Sequence, residues 1–315
     1  MYYFIVNPAS RSGKGMEVWK QAEKILLQNK FPYQVSFTKY PGHGRKLAAR
    51  LTASPQRKVL IVIGGDGTFN EVLNGLSCDY SFPVTYLPVG SGNDLARGMH
   101  LSSDFHERFS QIMNKYSSLA KDSQKPSSEL SMDTGEVQVH GRRSRFAISC
   151  GIGYDASICY EVSHTPVKKW MNRIHLGKLV YAYEAVRMLF SFQPCDMDVE
   201  LDGNRRYHFS NVYFIAGMNL PCEGGGFHFC PNADCQDGVL DYIVVHNLSK
   251  WKILLLFPTA YFGRHTRFKG ITLLKGTSMT IHSKRPCVLH RDGEYAGTTD
   301  QVTFAVQKHS LRFIR

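Results

Sequence analysis

The chain has 315 residues, 43% of them hydrophobic and 20% charged, with a formal net charge of +12. That length suits about two domains, and the composition excludes a disordered or collagen-like chain. The basic balance favours an anionic partner, whether nucleotide, nucleic acid or acidic membrane, without choosing among them.

The first hundred residues alternate strand and helix signals. Tyr2–Val6 is a short apolar run closed by Asn7-Pro8, too short for a secretory leader. Met16 to Gln28 predicts a helix with Trp19, Ala22 and Leu26 on one face, Tyr33–Thr38 a strand, and Arg45 to Leu51 a helix. Val59–Ile63 has the continuous apolar character of a buried parallel strand. Phe69, Val72, Leu73 and Leu76 follow at helical spacing, and Val84–Leu87 is another strand. This rhythm predicts a mostly parallel sheet covered by helices. Lys121 to Ser131 reads as a linker. Beyond it the pattern turns to β, with strands expected at Gly135–His140, Arg145–Ser149, Asp196–Leu201, Arg206–Ala216, Val239–Val245 and Ser278–Ser283. Lys168 to Phe192 reads as a partly basic helix.

No transmembrane helix is expected, because the apolar stretch Ile253 to Phe262 is short and broken by Pro258, whereas a span needs roughly 20 apolar residues. A cytoplasmic location follows as the expectation. Two segments offer a basic, aromatic surface for a peripheral anionic membrane: Lys168-Lys169-Trp170 onward, and Trp251 to Arg267. A core helix with solvated lysines is the competing reading of each. Cys222, His228, Cys230 and Cys235 lie close together, but their spacing matches no common zinc pattern, and reduced, buried thiols are expected.

Three strands end in loops rich in Gly, Asn and Ser. They are Asn7-Pro8-Ala9-Ser10-Arg11-Ser12-Gly13-Lys14-Gly15, Gly64-Gly65-Asp66-Gly67-Thr68-Phe69-Asn70-Glu71, and Pro88-Val89-Gly90-Ser91-Gly92-Asn93-Asp94-Leu95-Ala96-Arg97. In a parallel sheet all three sit at the carboxyl edge, where open α/β folds bind ligands. Glycine lets backbone approach closely, and helix N-termini offer amides and partial positive charge to a polyphosphate. Ser10, Thr68 and Ser91 can add hydroxyl contacts, and Asp66 suits a magnesium ion better than a phosphate. Any one loop can be a plain connector; one per β-α unit points to a nucleotide site.

Gly64-Gly65-Asp66-Gly67-Thr68 after an apolar strand resembles the hallmark of diacylglycerol, sphingosine and NAD kinases. Pro88 to Arg97 narrows this, being similar to the P-x-G-[ST]-G-N-D-[LF]-A-R run of the bacterial diacylglycerol kinase-like lipid kinases. Met132-Asp133-Thr134-Gly135, Gly151 to Ala156, Pro231 to Asp241 and Asp292-Gly293-Glu294 resemble that family's later segments in order. The resemblance implies an α/β nucleotide domain over residues 1–125, a β-sandwich lipid-substrate domain over 126–296, a return of about 297–315 to the first domain, and an active site in the cleft between them. It places Asn7, Pro8, Ala9, Ser10, Arg11, Thr38, Gly64, Gly65, Asp66, Gly67, Thr68, Asn70, Ser91, Gly92 and Asn93 around ATP. It places a structural magnesium on Asp237, helped by the carbonyls of Asp234 and Val239; a hairpin turn without metal is the alternative at Asp237-Gly238.

The implied reaction is ATP-dependent phosphorylation of a lipid hydroxyl, with diacylglycerol as acceptor. Glu294 is the expected proton acceptor, with Asp292 as the alternative base or as part of a magnesium network. A strand-like geometry would turn both to one face. Asp66 and Asp133 would complete the acidic environment. Sphingoid-base and other lipid kinases remain alternatives. NAD kinase explains few of the later segments, and a silent lipid- or nucleotide-binding regulator leaves the carboxylates without purpose. The basic residues are dispersed and form no nucleic-acid motif, so no nucleic-acid partner is expected. A homodimer stays open.

Overall fold

A computed structural model describes residues 1–53, 59–77, 80, 82–119, 129–164 and 185–315. The linker expected from Lys121 lies largely outside these residues, as do Cys78 and Lys168 to Trp170. The chain divides into two compact units, Met1–Met132 with His309–Arg315, and Asp133–Lys308.

The first unit holds strands β1 (Tyr2–Val6), β2 (Tyr33–Phe37), β3 (Val59–Gly64) and β4 (Val84–Pro88). β1 pairs in parallel with β2 and β3, and β3 with β4. β1 and all but the last residue of β3 are continuous apolar runs, and both strands are buried along their whole length, as a sheet covered on both faces requires. Helix α1 (Lys14–Gln28) lays Val18, Trp19, Ala22 and Leu26 onto the sheet. The Trp19 ring meets Phe4 edge-on at 5.1 Å. Removing such a buried aromatic typically costs about 3–5 kcal/mol, so Trp19 anchors this layer. Helices α2 (His43–Thr52), α3 (Asp66–Leu73), α4 (Asp94–Gly98) and α5 (Phe105–Leu119) complete the unit.

Arg108 on α5 is fully buried, a feature the sequence does not announce. Its guanidinium donates to Thr85 Oγ1 at 2.6 Å, the Ile314 carbonyl at 2.9 Å and the Tyr86 carbonyl at 3.2 Å. Burial pulls its pKa down to about 10, which leaves it charged at neutral pH. It therefore ties β4 to the C-terminal segment, where Phe313 pairs with Val84.

The second unit is antiparallel apart from its helices. It contains β5 (Glu129–Val139, from Asp133), β6 (Arg142–Phe146), β7 (Ser149–Gly153), helix α6 (Tyr154–His164), β8 (Cys195–Leu201), β9 (Arg205–Met218), β10 (Leu240–His246), helix α7 (Lys250–Tyr261), β11 (Ile271–Gly276), β12 (Ser278–Arg291) and β13 (Glu294–Ile314, to Lys308). β11, β10, β9, β7, β12 and β13 run side by side, with β8 joined to β9 and β12. The expected strand Arg145–Ser149 spans the end of β6 and the start of β7, with a break at Ala147-Ile148 between them. The return to the first unit begins at His309 rather than near 297, because Gly297 to Ala305 is consumed in pairing with β12. Residues 185–191 are helical, in line with the end of the expected Lys168–Phe192 helix. Among the described residues, no helix is long and apolar enough to cross a membrane.

Candidate active site

Parallel strands β1, β2, β3 and β4 deliver their following loops to one edge of the first unit. Side chains then clasp those loops together. Asn7 Nδ2 donates to Thr68 Oγ1 at 3.0 Å, joining the first loop to the second. Asn7 Oδ1 also accepts the Ala9 N–H at 3.1 Å, which sets the turn after β1. The Asp66 carboxylate accepts the Asp94 N–H at 2.9 Å and the Leu95 N–H at 3.4 Å, joining the second loop to the third. Thr38 follows β2 and is fixed by its N–H to the Val6 carbonyl at 2.8 Å.

Glycine is required where these loops meet. A Cβ on Gly90 would stand 2.9 Å from the Gly65 Cα, and one on Gly64 would stand 2.7 Å from the Thr68 side chain. Backbone can thus pack on backbone, and α3 starts with its first-turn amides at the loop edge, a geometry suited to anionic oxygens. Ser91 and Arg11 are exposed there, while Thr68 and Asn70 are buried. Asn70 accepts from Asn74 and sits within the fold, so it supports the loop from behind. Ser10, Pro8, Gly67, Gly92 and Asn93 line the same loop edge. Asn93 adopts a left-handed backbone conformation at φ 54° to start α4.

The Asp66 carboxylate, the expected magnesium ligand, caps the start of α4 and accepts from the Tyr86 hydroxyl at 3.4 Å. Burial, reinforced by Asp66, pushes the Tyr86 phenol well above its ordinary pKa, so it remains a donor. Glu71, which the sequence did not single out, performs a similar task. It accepts the Gly42 N–H at 2.6 Å and the Gly44 N–H at 2.8 Å, holding the start of α2 against α3.

In the second unit Asp292-Gly293 forms a two-residue hairpin between β12 and β13, with φ of 47° and 77°. An Asp-Gly pair supplies the left-handed conformations such a turn needs. The expected strand-like geometry, with Asp292 and Glu294 on one face, is therefore corrected: Asp292 is buried and Glu294 exposed. The Asp292 carboxylate accepts three backbone amides, from Ala147 at 3.0 Å, Ile148 at 2.8 Å and Ser149 at 3.1 Å. That anchors the bend between β6 and β7. Asp133 is likewise structural. Fully buried, it accepts the Gly238 N–H at 2.7 Å and donates its own N–H to the Cys235 carbonyl at 2.7 Å.

Beside this turn lies a cluster absent from the sequence reading. His290 Nε2 is 3.0 Å from Asp155 Oδ2 and 3.8 Å from Glu223 Oε1, and all three residues are buried. Burial opposes charge on the imidazole, but Glu223 and Asp155 outweigh it and raise its pKa to about 9. The opposing contact is Gly293 N–H directed at His290 Nδ1 at 3.3 Å, which favours a neutral ring. At that length it is weaker than two buried carboxylates, so the imidazolium form is the one favoured. Gly151 is needed here, since a Cβ would stand 2.1 Å from Asp155 Oδ2. Asp155 lies in the segment from Gly151 to Ala156 and His290 just before Asp292-Gly293-Glu294; the pairing of β12 with β7 sets His290 against Gly151, and Glu223 comes from the loop after β9, a proximity that spacing does not reveal.

The Asp237 carboxylate, expected to hold a structural magnesium, is engaged here by other partners. Asp237 Oδ2 accepts Lys275 Nζ at 2.8 Å, and its Oδ1 accepts the Val239 N–H at 3.2 Å. Lys275 also approaches Asp241 Oδ2 at 3.3 Å. The Asp234 carbonyl accepts the Asp237 N–H at 3.4 Å, closing the loop on itself. An ammonium thus already neutralises the carboxylate on which a divalent cation would depend. The hydrogen bond to Asp237 raises the Lys275 pKa, consistent with a firm pair. Cys222, Cys230 and Cys235 are buried, and with His228 they form no metal-ligating group among the described residues.

Residues 1–121 match the model of the diacylglycerol kinase catalytic domain, and residues 149–315 match that of the YegS C-terminal NAD kinase beta sandwich-like domain. The chain is 29% identical over 304 residues to "Putative lipid kinase YtlR" of Bacillus subtilis (strain 168), covering 95% of this chain and 94% of the relative. It is 28% identical over 300 residues to a diacylglycerol kinase of the same organism, covering 93% and 89%. The solved structure "Crystal structure of a putative diacylglycerol kinase from Bacillus anthracis str. Sterne" superposes with a TM-score of 0.73 at 19% identity, over 99% of this chain and 96% of that one, a likeness of fold. With both family models matched in order along one chain, the protein belongs to the bacterial diacylglycerol kinase-like family and is an alcohol-acceptor phosphotransferase, a lipid kinase.

Proposed function

We propose that the protein transfers the γ-phosphoryl group of ATP, used as its magnesium complex, to the free hydroxyl of diacylglycerol, giving phosphatidic acid. The hydroxyl oxygen attacks the γ-phosphorus, the bond to the bridging oxygen breaks, and ADP leaves with the electron pair. The hydroxyl proton passes to a carboxylate. Such transfers depend on positioning and charge neutralisation more than on covalent chemistry.

The observation that carries this reading is the clasped trio of glycine-rich loops, through Asn7–Thr68 and Asp66–Asp94. Its backbone amides and the Ser10, Thr68 and Ser91 hydroxyls suit a polyphosphate. Glu294 is the base in this reading. It is exposed at the start of β13, whereas Asp292 spends its carboxylate on three amides. Diacylglycerol is favoured because several curated relatives bear that name. The lipid is met at a membrane surface. The test is transfer of labelled γ-phosphate to a panel of diacylglycerol, monoacylglycerol, ceramide and sphingosine in mixed micelles, with NAD as control. Diacylglycerol as the main acceptor supports the reading, and a preference for sphingosine or NAD refutes it.

A further inference from the structure

Helix α7 is apolar on more than its buried side. Leu256 and Ala260 face the core. Trp251, Leu255, Pro258 and Phe262 recur at spacings of four, three and four, which places them along one outward stripe. Trp251 is 69% exposed, Leu255 77% and Phe262 71%. Tyr261 and Phe268 add exposed aromatic surface beside the stripe. A surface helix of a water-facing protein normally turns charge outward, and one apolar on both faces needs a second apolar environment.

The surroundings identify that environment. No Asp or Glu occurs between Asp241 and Asp292, so the stripe has no acidic neighbour in its own stretch of chain. Exposed Lys252, Arg264, Arg267 and Lys269 border it. Helical residues 185–191 pack beside the start of α7. Phe190 meets Trp251 edge-on at 5.2 Å, and Lys250 Nζ donates to the Phe190 carbonyl at 2.6 Å. The hollow between them is lined by apolar and aromatic side chains, among them Tyr154, Leu189, Ile253, Leu254 and Phe257. Apolar and indole groups at the crest with cations at the rim match the layering of an anionic bilayer surface: acyl chains, interface, then headgroup phosphates.

We infer that α7 and the turn after it form the surface by which this protein docks on an anionic lipid bilayer, with Trp251, Leu255 and Phe262 inserted and Lys252, Arg264 and Arg267 against the headgroups. The inference deepens the lipid-kinase reading and rests on it for its purpose, though binding can be measured apart from turnover.

The experiment uses the full chain with vesicles of phosphatidylcholine alone or mixed with phosphatidylglycerol. Cosedimentation and tryptophan emission are followed in a Trp170→Phe background, where Trp19 is buried and Trp251 reports. Expected results are binding to the anionic vesicles only, a blue shift abolished by Trp251→Phe, and binding weakened about tenfold or more by Leu255→Glu with Phe262→Glu. Lys252→Glu with Arg264→Glu should weaken it as well and flatten its salt dependence. Wild-type-like binding by the Leu255/Phe262 double variant overturns the assignment. So does a concentration-dependent dimer that the same variant dissolves, without vesicle binding. Turnover of a monomeric short-chain diacylglycerol is measured in parallel and should be unchanged in the double variant. Docking without any phosphoryl transfer to diacylglycerol would refute the diacylglycerol reading and leave the docking surface standing.

Discussion

The Asp66 carboxylate accepts the backbone N–H of Asp94 at 2.9 Å, so the aspartate of the second glycine-rich loop sets the start of the third. Asp66→Ala should leave the Asp94 and Leu95 amides without this acceptor and loosen both loops. The expected stability loss is about 1 kcal/mol, that of an N-cap, while the KM for ATP rises several-fold. Thermal unfolding and ATP-dependent kinetics check the two halves. Loss of turnover with an unchanged KM for ATP would mean that Asp66 acts in chemistry rather than in loop geometry.

Asp292 and Glu294 should separate cleanly. Glu294→Gln is expected to reduce turnover by about a hundredfold or more while leaving the melting temperature near wild type, because Glu294 is exposed. Asp292→Asn should instead destabilise the fold by about 1.5–3 kcal/mol, having removed charge from three amide hydrogen bonds. Denaturant midpoints for both variants, read beside kcat, decide the assignment.

Lys275 between Asp237 and Asp241 predicts indifference to metal. Without nucleotide, the melting temperature should be the same in EDTA and in excess magnesium. Lys275→Ala should lower it and restore a stabilising response to magnesium, since the two carboxylates then lack their ammonium. A magnesium-dependent rise in the wild type would restore the structural metal site.

His290 predicts a pH response. Its folded pKa of about 9 lies above the ordinary 6.5, so the stability it contributes is complete below about pH 6.5 and disappears as pH rises through about 9. Melting temperature should fall across that window, and His290→Asn should flatten the fall. A wild-type curve that is flat there would mean the neutral ring, held by Gly293, prevails.

The first unit was more legible in the sequence than the second for a physical reason. β1 and β3 are buried on both faces and so carry unbroken apolar runs, and α1 shows its buried stripe at helical spacing. Glycine loops declare themselves because backbone contact at Gly65 and Gly90 leaves no room for a side chain. Helix α5 escaped notice, its apolar face interrupted by the buried Arg108. β13 was also missed, because its 21 residues bury few side chains and show no regular alternation, so the period-two signal of a strand is broken. Among the carboxylates, residue type alone could not tell an acceptor of protons from an acceptor of amides. Asp66, Asp133 and Asp292 all proved to hold backbone, and the Asp155–Glu223–His290 cluster depends on pairings far apart in sequence.

The most direct test of the central claim is transfer of labelled γ-phosphate from ATP to diacylglycerol in mixed micelles, by wild type and by Glu294→Gln side by side. Labelled phosphatidic acid from the wild type, and almost none from an equally folded Glu294→Gln, is the predicted result. No labelled lipid from a wild type that binds ATP, or equal product from both proteins, would contradict the account.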